Sequence, residues 1–151
     1  MASNHERLPI YAGVAMALAV SADARAGAPP GHFTDLGDGT VKDNATSLVW
    51  QRDLADGGGK TWAAAKTYCQ GLSLGGGGWR LPNVKELQTL GDDSTYNPTI
   101  DVTYFPSTPS TYFWSSSVSA LDNSSAWVVD FAYGDVLEND QTNSFRVRCV
   151  R

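Results

Sequence analysis

The chain has 151 residues, the length of a single ordinary domain. Hydrophobic residues make up 42% and charged residues 18%, a balance that excludes a disordered or fibrous chain. The net charge of -5 argues against nucleic acid and against an anionic membrane surface as partners, and no apolar run has the roughly 18 residues of a membrane span.

The first 26 residues have the pattern of a secretory signal peptide. A weakly basic start precedes the apolar stretch 10–20, and Ala24-Arg25-Ala26 is a small-x-small cleavage site. We expect cleavage after Ala26, or after Ala28 by the overlapping site; a short buried helix is the alternative. The sequence thus predicts an exported protein, periplasmic, at the cell surface or released, with residues 27–32 as a Gly/Pro leader and 33–151 as the folded domain.

The folded part begins with short strands joined by tight turns. Asp38-Gly39 favours a hairpin turn between strands at 33–35 and 41–43, because glycine supplies the positive φ that such turns need. A second turn at 44–46 leads into a strand at 48–51.

Two helices are predicted next. Thr61 is a suitable N-cap for a helix over 62–72, and the spacing of its apolar residues turns Cys69 inward. Asn83 followed by Glu86 has the spacing of a capping box, which predicts a second helix over 84–90.

The C-terminal half reads as antiparallel sheet after a long irregular segment, 92–111. The predicted strands are 112–118, 126–132, a strand starting at 136–138, and a last strand over 145–149, with a polar loop at 139–144. Alternation along the last strand turns Cys149 toward the core.

Cys69 and Cys149 are the only cysteines. An even pair in an exported chain is most simply a disulfide, with two buried free thiols as the alternative. Helical periodicity places Cys69 toward the core, and strand alternation independently places Cys149 toward the core. The two results agree with a disulfide between the helix and the sheet.

Six separated motifs occur in one order along the chain: Phe33-Thr34-Asp35 with Gly37-Asp38-Gly39-Thr40-Val41, Leu48-Val49-Trp50, Trp79-Arg80-Leu81-Pro82-Asn83, Phe113-Trp114-Ser115-Ser116, Ala126-Trp127, and Val147-Arg148-Cys149-Val150. Together they resemble the Lcl C-terminal domain, the carboxyl end of the Legionella collagen-like adhesin, over about residues 33–151.

The resemblance implies an α+β, C-type-lectin-like fold, with two short helices packed on a twisted antiparallel sheet, long irregular loops, and a disulfide from the first helix to the last strand. The adhesin after which the family is named is implicated in binding sulfated glycosaminoglycans, so the resemblance implies this ligand class. This chain has no collagen-like region and is acidic, whereas a polysulfate needs clustered Lys and Arg.

No catalytic constellation is evident. Once residues 1–26 are removed, His32 is the single histidine, so a Ser or Cys nucleophile lacks an evident base, and two cysteines with one histidine make no metal-ligand spacing. We therefore predict no catalytic residue, metal or cofactor. Solvated loop acids are the simplest interpretation of Asp92, Asp93 and Asp122; the alternative is that Asp92, Asp93 and Asn97, or Asp122 and Asn123, supply oxygen ligands to calcium. A degenerate enzyme of the formylglycine-generating type, which the fold resemblance raises, is the remaining catalytic alternative.

The large aromatic and basic side chains divide between core and surface. Four tryptophans lie in apolar patterns and are predicted to be core: Trp50, Trp62, Trp79 and Trp127. Trp114 is either core or a platform for stacking a sugar. Arg146 and Arg148 share the predicted outward face of the last strand, where they would pair with Asp130 or cap a helix end, with an anion site as the alternative.

What remains is a binding surface built from polar loops on a disulfide-bonded scaffold. The candidate residues, in addition to Trp114, are Asp122, Asn123, Ser124, Tyr133, Asp135, Asn139, Asp140 and Asn143. The alternative is that these are ordinary turn residues. We predict a secreted, non-enzymatic binding or adhesion domain for a surface glycan or extracellular protein; the alternative is a structural subunit of an extracellular homo-oligomer without a small ligand.

Overall fold

The computed structural model describes residues 28–55 and 58–151, so the predicted signal peptide lies outside the described residues. Within them the chain forms two three-stranded antiparallel sheets and two short α-helices, in agreement with the predicted α+β class. The first sheet contains β1 (Phe33–Asp35), β2 (Thr40–Asp43) and β3 (Val49–Gln51). The helices are α1 (Trp62–Gly71) and α2 (Val84–Gln88), and the second sheet contains β4 (Tyr112–Val118), β5 (Ser125–Asp130) and β6 (Val136–Asp140).

Side chains of acidic residues hold the turns of the first sheet. Between β1 and β2, Asp38 accepts hydrogen bonds from the N–H and the hydroxyl of Thr40, and Gly39 has the expected positive φ of 83°. Between β2 and β3, the buried Asp43 accepts from Ala45 N at 2.8 Å and from Thr46 Oγ1 at 2.7 Å. Both predicted turns are confirmed.

The two helices begin where the sequence predicts, but only one is capped by its side chain. Asn83 Oδ1 accepts from Glu86 N, and the Glu86 carboxylate accepts from Asn83 N, each at 2.9 Å, so α2 has its capping box. Thr61 has the extended backbone of an N-cap without a side-chain cap. The N–H of Trp62 donates instead to Gln141 O at 3.1 Å.

The second sheet separates two hydrophobic clusters. On one side, Ala65 and Cys69 of α1 lie in a cluster with Trp114 and Val128. On the other side, Leu87 of α2 lies in a cluster whose sheet members include Phe113 and Val129. Each helix thus covers one face of the same sheet, because alternate residues of β4 and β5 point to opposite faces.

The predicted last strand over 145–149 is wrong. Residues 145–150 form isolated bridges instead of a strand: Phe145 pairs with Lys60, Arg146 with Phe113 of β4, and Val150 with Trp50 of β3 and with Arg80. The segment therefore crosses between the two sheets, so that the structure has two sheets where one was predicted.

Because this segment is enclosed on both sides, strand alternation does not describe it. Arg148 is completely buried, which makes its predicted outward position wrong. Its guanidinium donates to Gln51 O at 2.6 Å, to Arg52 O at 2.7 Å and to Thr108 Oγ1 at 2.8 Å. Within the described part of the chain, no ion pair joins Asp130 to either Arg146 or Arg148.

Cys69 and Cys149 form the predicted disulfide, with their Cα atoms 5.5 Å apart. Cys69 lies on α1 and Cys149 on the crossing segment, and both are completely buried. The disulfide therefore joins α1, which packs on one face of the second sheet, to the segment that crosses between the two sheets. Among residues 28–55 and 58–151, no helix has the length and hydropathy required to cross a membrane.

Candidate functional site

The predicted binding residues fall at opposite ends of the second sheet. One group lies in the β4–β5 turn and around the end of β6, where Ser125 pairs with Asp140 and Ala126 with Asn139. We call this group the polar end; its members are Asp122, Asn123, Ser124, Asn139, Asp140 and Asn143. Tyr133 and Asp135 lie in the β5–β6 turn, and β6, at about 3.4 Å per residue, places them roughly 17 Å away.

Trp114 belongs to neither end. Its side chain is completely buried in the core, and its indole N–H donates to Lys60 O at 2.7 Å. A stacking platform must be exposed, so the structure resolves the open alternative for Trp114 in favour of the core. Conversely, Trp62 and Trp127, which were predicted to be core, are only partly buried.

Local hydrogen bonds engage the carboxylates of the polar end. Asp122 accepts from Ser124 N at 2.9 Å and from the hydroxyls of Ser124 and Ser125. Asp140 accepts from Thr142 N at 2.8 Å and from its hydroxyl at 2.6 Å. These contacts close the turns, as short polar side chains do in loops.

The same hydrogen bonds lower the pKa values of two carboxylates at the polar end. The hydroxyl of Ser124 is the main cause that lowers the pKa of Asp122. The hydroxyl of Thr142 likewise lowers the pKa of Asp140, although the nearby charge of Asp122 acts in the opposite direction. Both carboxylates are fully exposed, and both are ionised at neutral pH.

The β5–β6 turn adjoins a second loop that the sequence did not single out as a whole. Asn97 N donates to Ala132 O at 3.0 Å, and Thr99 N donates to Phe131 O at 2.7 Å. This places the segment Tyr96–Asn97 beside Tyr133–Asp135, and we call these two segments together the tyrosine end. Tyr96 is 82% exposed and Tyr133 is 75% exposed.

Tyr96 is therefore a candidate that sequence reasoning missed. The sequence feature that could have pointed to Tyr96 is its position in the long segment 92–111, since a compact domain keeps such loops mainly when they pack against the core or bind a ligand. Ile100 and Phe105 of that segment are buried and Tyr96 is not, a difference that residue type alone does not reveal.

The described residues contain no group of three or more histidine, cysteine, aspartate or glutamate side chains placed to hold a metal ion. A cavity of about 140 Å³ lies between residues 28–33 and 89–101, and its lining includes Asp92, Asp93 and Asp101.

The fold and these surfaces define a disulfide-bonded α+β domain that exposes polar and aromatic side chains on loops at two ends of one sheet. The family model for the Lcl C-terminal domain matches residues 39–151, and the chain belongs to this family. A search of curated proteins found no match to the chain.

Family membership indicates an extracellular, adhesin-like domain, and the disulfide fits an exported protein. The C-type-lectin-like assignment stays a prediction from the resemblance.

Proposed function

We propose that this chain is a non-catalytic, exported binding domain that recognises a glycan or a protein ligand on a surface. The observation that carries the proposal is the tyrosine end, where two tyrosines are 82% and 75% exposed on adjoining loops. Large aromatic side chains normally lie at least partly inside, and a pair of them exposed together is typical of a recognition surface. Tyrosine supplies contact area at a low entropy cost.

The proposal assigns the main ligand contact to the tyrosine end rather than to the polar end. The carboxylates of Asp122 and Asp140 already accept hydrogen bonds within their own turns. In the described part of the chain, no hydrogen bond engages the side chain of Tyr133 or Asp135, so their polar atoms are available to a ligand. Contact by the polar-end residues stays a prediction.

A binding screen of the exported protein against immobilised glycans and extracellular-matrix proteins tests the function. We expect at least one ligand class to bind. We also expect Tyr133→Ala with Asp135→Ala to weaken that binding by about tenfold or more, through lost contact area and hydrogen bonds. The matched control, Asn123→Ala with Asn143→Ala at the polar end, should change binding by less than about twofold. Equal losses from the two pairs would contradict the assignment to the tyrosine end.

The second candidate function is a structural subunit of an extracellular homo-oligomer. The observation that favours it is β6, which pairs with β5 on one side only and has Leu137 and Glu138 exposed. An unpaired sheet edge is a template for adding a strand from another chain. This function would be supported instead if no ligand binds in the screen and the molar mass measured by light scattering rises with protein concentration.

A further inference from the structure

The two tyrosines of the tyrosine end come from loops that are joined by backbone hydrogen bonds. Donation from Asn97 to Ala132 and from Thr99 to Phe131 pairs two stretches of backbone that run in opposite directions. Tyr96 precedes Asn97 and Tyr133 follows Ala132, so the two exposed rings belong to neighbouring positions across this pairing.

Both loops are tied to the sheet. The side chain of Asp130 accepts from Ala132 N at 2.9 Å, and Gly134 N donates to Asp130 O at 2.8 Å. The hydroxyl of the buried Thr99 donates to Phe131 O at 3.2 Å. A surface that is already ordered loses little conformational entropy when it binds a ligand.

Polar groups flank the two rings. Asn97 and Asp135 are exposed, and neither side chain has a hydrogen bond within residues 28–55 and 58–151. The amide of Asn97 offers donors and an acceptor, and the carboxylate of Asp135 offers two acceptors. A ring face beside such groups matches a sugar, which presents an apolar C–H face and a rim of hydroxyls.

The charge of the sequence stretch that forms these loops disfavours anionic sugars. Between Lys85 and Arg146 the sequence has nine carboxylates and no lysine, arginine or histidine. Both loops of the tyrosine end lie within this stretch. A sulfated or carboxylated glycan would find no basic side chain of this stretch to pair with, and anion recognition requires basic side chains or clustered backbone N–H donors.

We propose that the tyrosine end binds a neutral saccharide, with Tyr96 and Tyr133 stacking on sugar rings and with Asn97 and Asp135 hydrogen-bonding sugar hydroxyls. This inference rests on the binding function proposed above and narrows its ligand to one chemical class. The ligand class follows from the combination of exposed rings, free polar side chains and the absence of basic residues in the stretch that forms the surface.

The test is an array of neutral, sialylated and sulfated glycans, probed with the exported protein and with Tyr96→Ala, Tyr133→Ala and Leu121→Ala. Leu121 is 93% exposed at the opposite end of the sheet, which makes it the matched control. We expect signals on neutral glycans that fall about tenfold in each tyrosine variant and stay unchanged in Leu121→Ala. The signals should vary by less than about twofold between roughly 50 and 500 mM NaCl, since no ion pair forms. Unchanged thermal unfolding of the variants establishes that they are folded.

Three outcomes overturn the inference while the proposed binding function stands. The first is binding confined to sulfated or sialylated glycans, and the second is neutral-glycan binding that both tyrosine variants retain. The third is binding to extracellular-matrix proteins in the companion screen without any glycan signal, which removes the saccharide class but leaves the binding function standing. Silence on glycans and proteins alike removes both.

Discussion

At the scale of single residues, the buried Arg148 contacts three separate parts of the chain. Its buried guanidinium donates to two backbone carbonyls and to the hydroxyl of Thr108, and it lies 4.8 Å from the ring centroid of Phe105. The carbonyls belong to Gln51 at the end of β3 and to the next residue, Arg52. One side chain therefore joins the crossing segment, the first sheet and the long irregular segment.

We predict that Arg148→Met lowers the free energy of unfolding by about 3 kcal/mol. Methionine keeps much of the volume but donates no hydrogen bond, so buried acceptors lose their partner. Urea unfolding followed by tryptophan fluorescence measures the change. Lys42→Met, at an exposed position of β2, is the matched control and should change stability by less than about 0.5 kcal/mol. Similar effects of the two substitutions would contradict the role given to Arg148.

At the scale of elements, α2 depends on its first turn because it has only five residues. Glu86 receives two hydrogen bonds of 2.7 Å from the Arg80 guanidinium while it completes the capping box with Asn83. The bidentate contact with Arg80 is the main cause that lowers the pKa of Glu86 below its ordinary value of 4.5. The carboxylate thus ties the helix start to the extended segment before it.

We predict that Glu86→Gln destabilises the domain by about 1 kcal/mol at pH 7, a modest effect because Arg80 is partly exposed. The pKa of Glu86 is lower in the folded chain than in the unfolded chain, so the stabilisation is present above pH 4.5 and is lost as the pH falls through the folded-state pKa. The stability difference between the two proteins should therefore shrink as the pH falls below 4.5. Unfolding measured from pH 7 to pH 3 checks this trend.

The control for this pH series is Gln88→Ala, an exposed change on the same helix that involves no ionisable group. Its effect should be the same at every pH. A Glu86→Gln effect that stays constant or grows toward low pH would contradict the assignment of the stabilisation to the carboxylate.

At the scale of the whole molecule, the disulfide and the crossing segment hold the parts together. The crossing segment pairs with β3 and β4 by isolated backbone bridges and by the hydrogen bonds of Arg148, and the disulfide attaches it covalently to α1. The loop that the disulfide closes spans 80 residues and contains α2, β4, β5 and β6. Both the polar end and the tyrosine end lie within this loop.

We predict that Cys69→Ala with Cys149→Ala lowers the free energy of unfolding by about 4.5 kcal/mol, the chain-entropy value for a loop of this length. Denaturant unfolding of the oxidised protein, the reduced protein and the double variant measures it. Adding reductant should destabilise the parent protein and leave the double variant unchanged. A parent protein whose stability is insensitive to reductant would contradict the prediction.

Local signals in the sequence were sufficient for the elements that depend on neighbouring residues. The turns at Asp38-Gly39 and at 44–46 and the capping box of α2 all follow from residues within a few positions of each other. Candidate surface residues were harder to predict. The sequence pointed to Tyr133 and Asp135, but their partner Tyr96 comes from a loop that meets them only through long-range backbone pairing.

The sequence by itself determined the α+β class, the hairpins, both helix starts and the family, because periodicity, turn chemistry and ordered motifs are properties of the chain alone. It favoured a disulfide between the two cysteines, which the structure contains. Only the tertiary structure decided that the segment after Phe145 crosses between two sheets, which buries Arg148, and that the polar candidates separate into two ends. Burial depends on what packs against both sides of a segment, and residues far apart in the chain supply that packing.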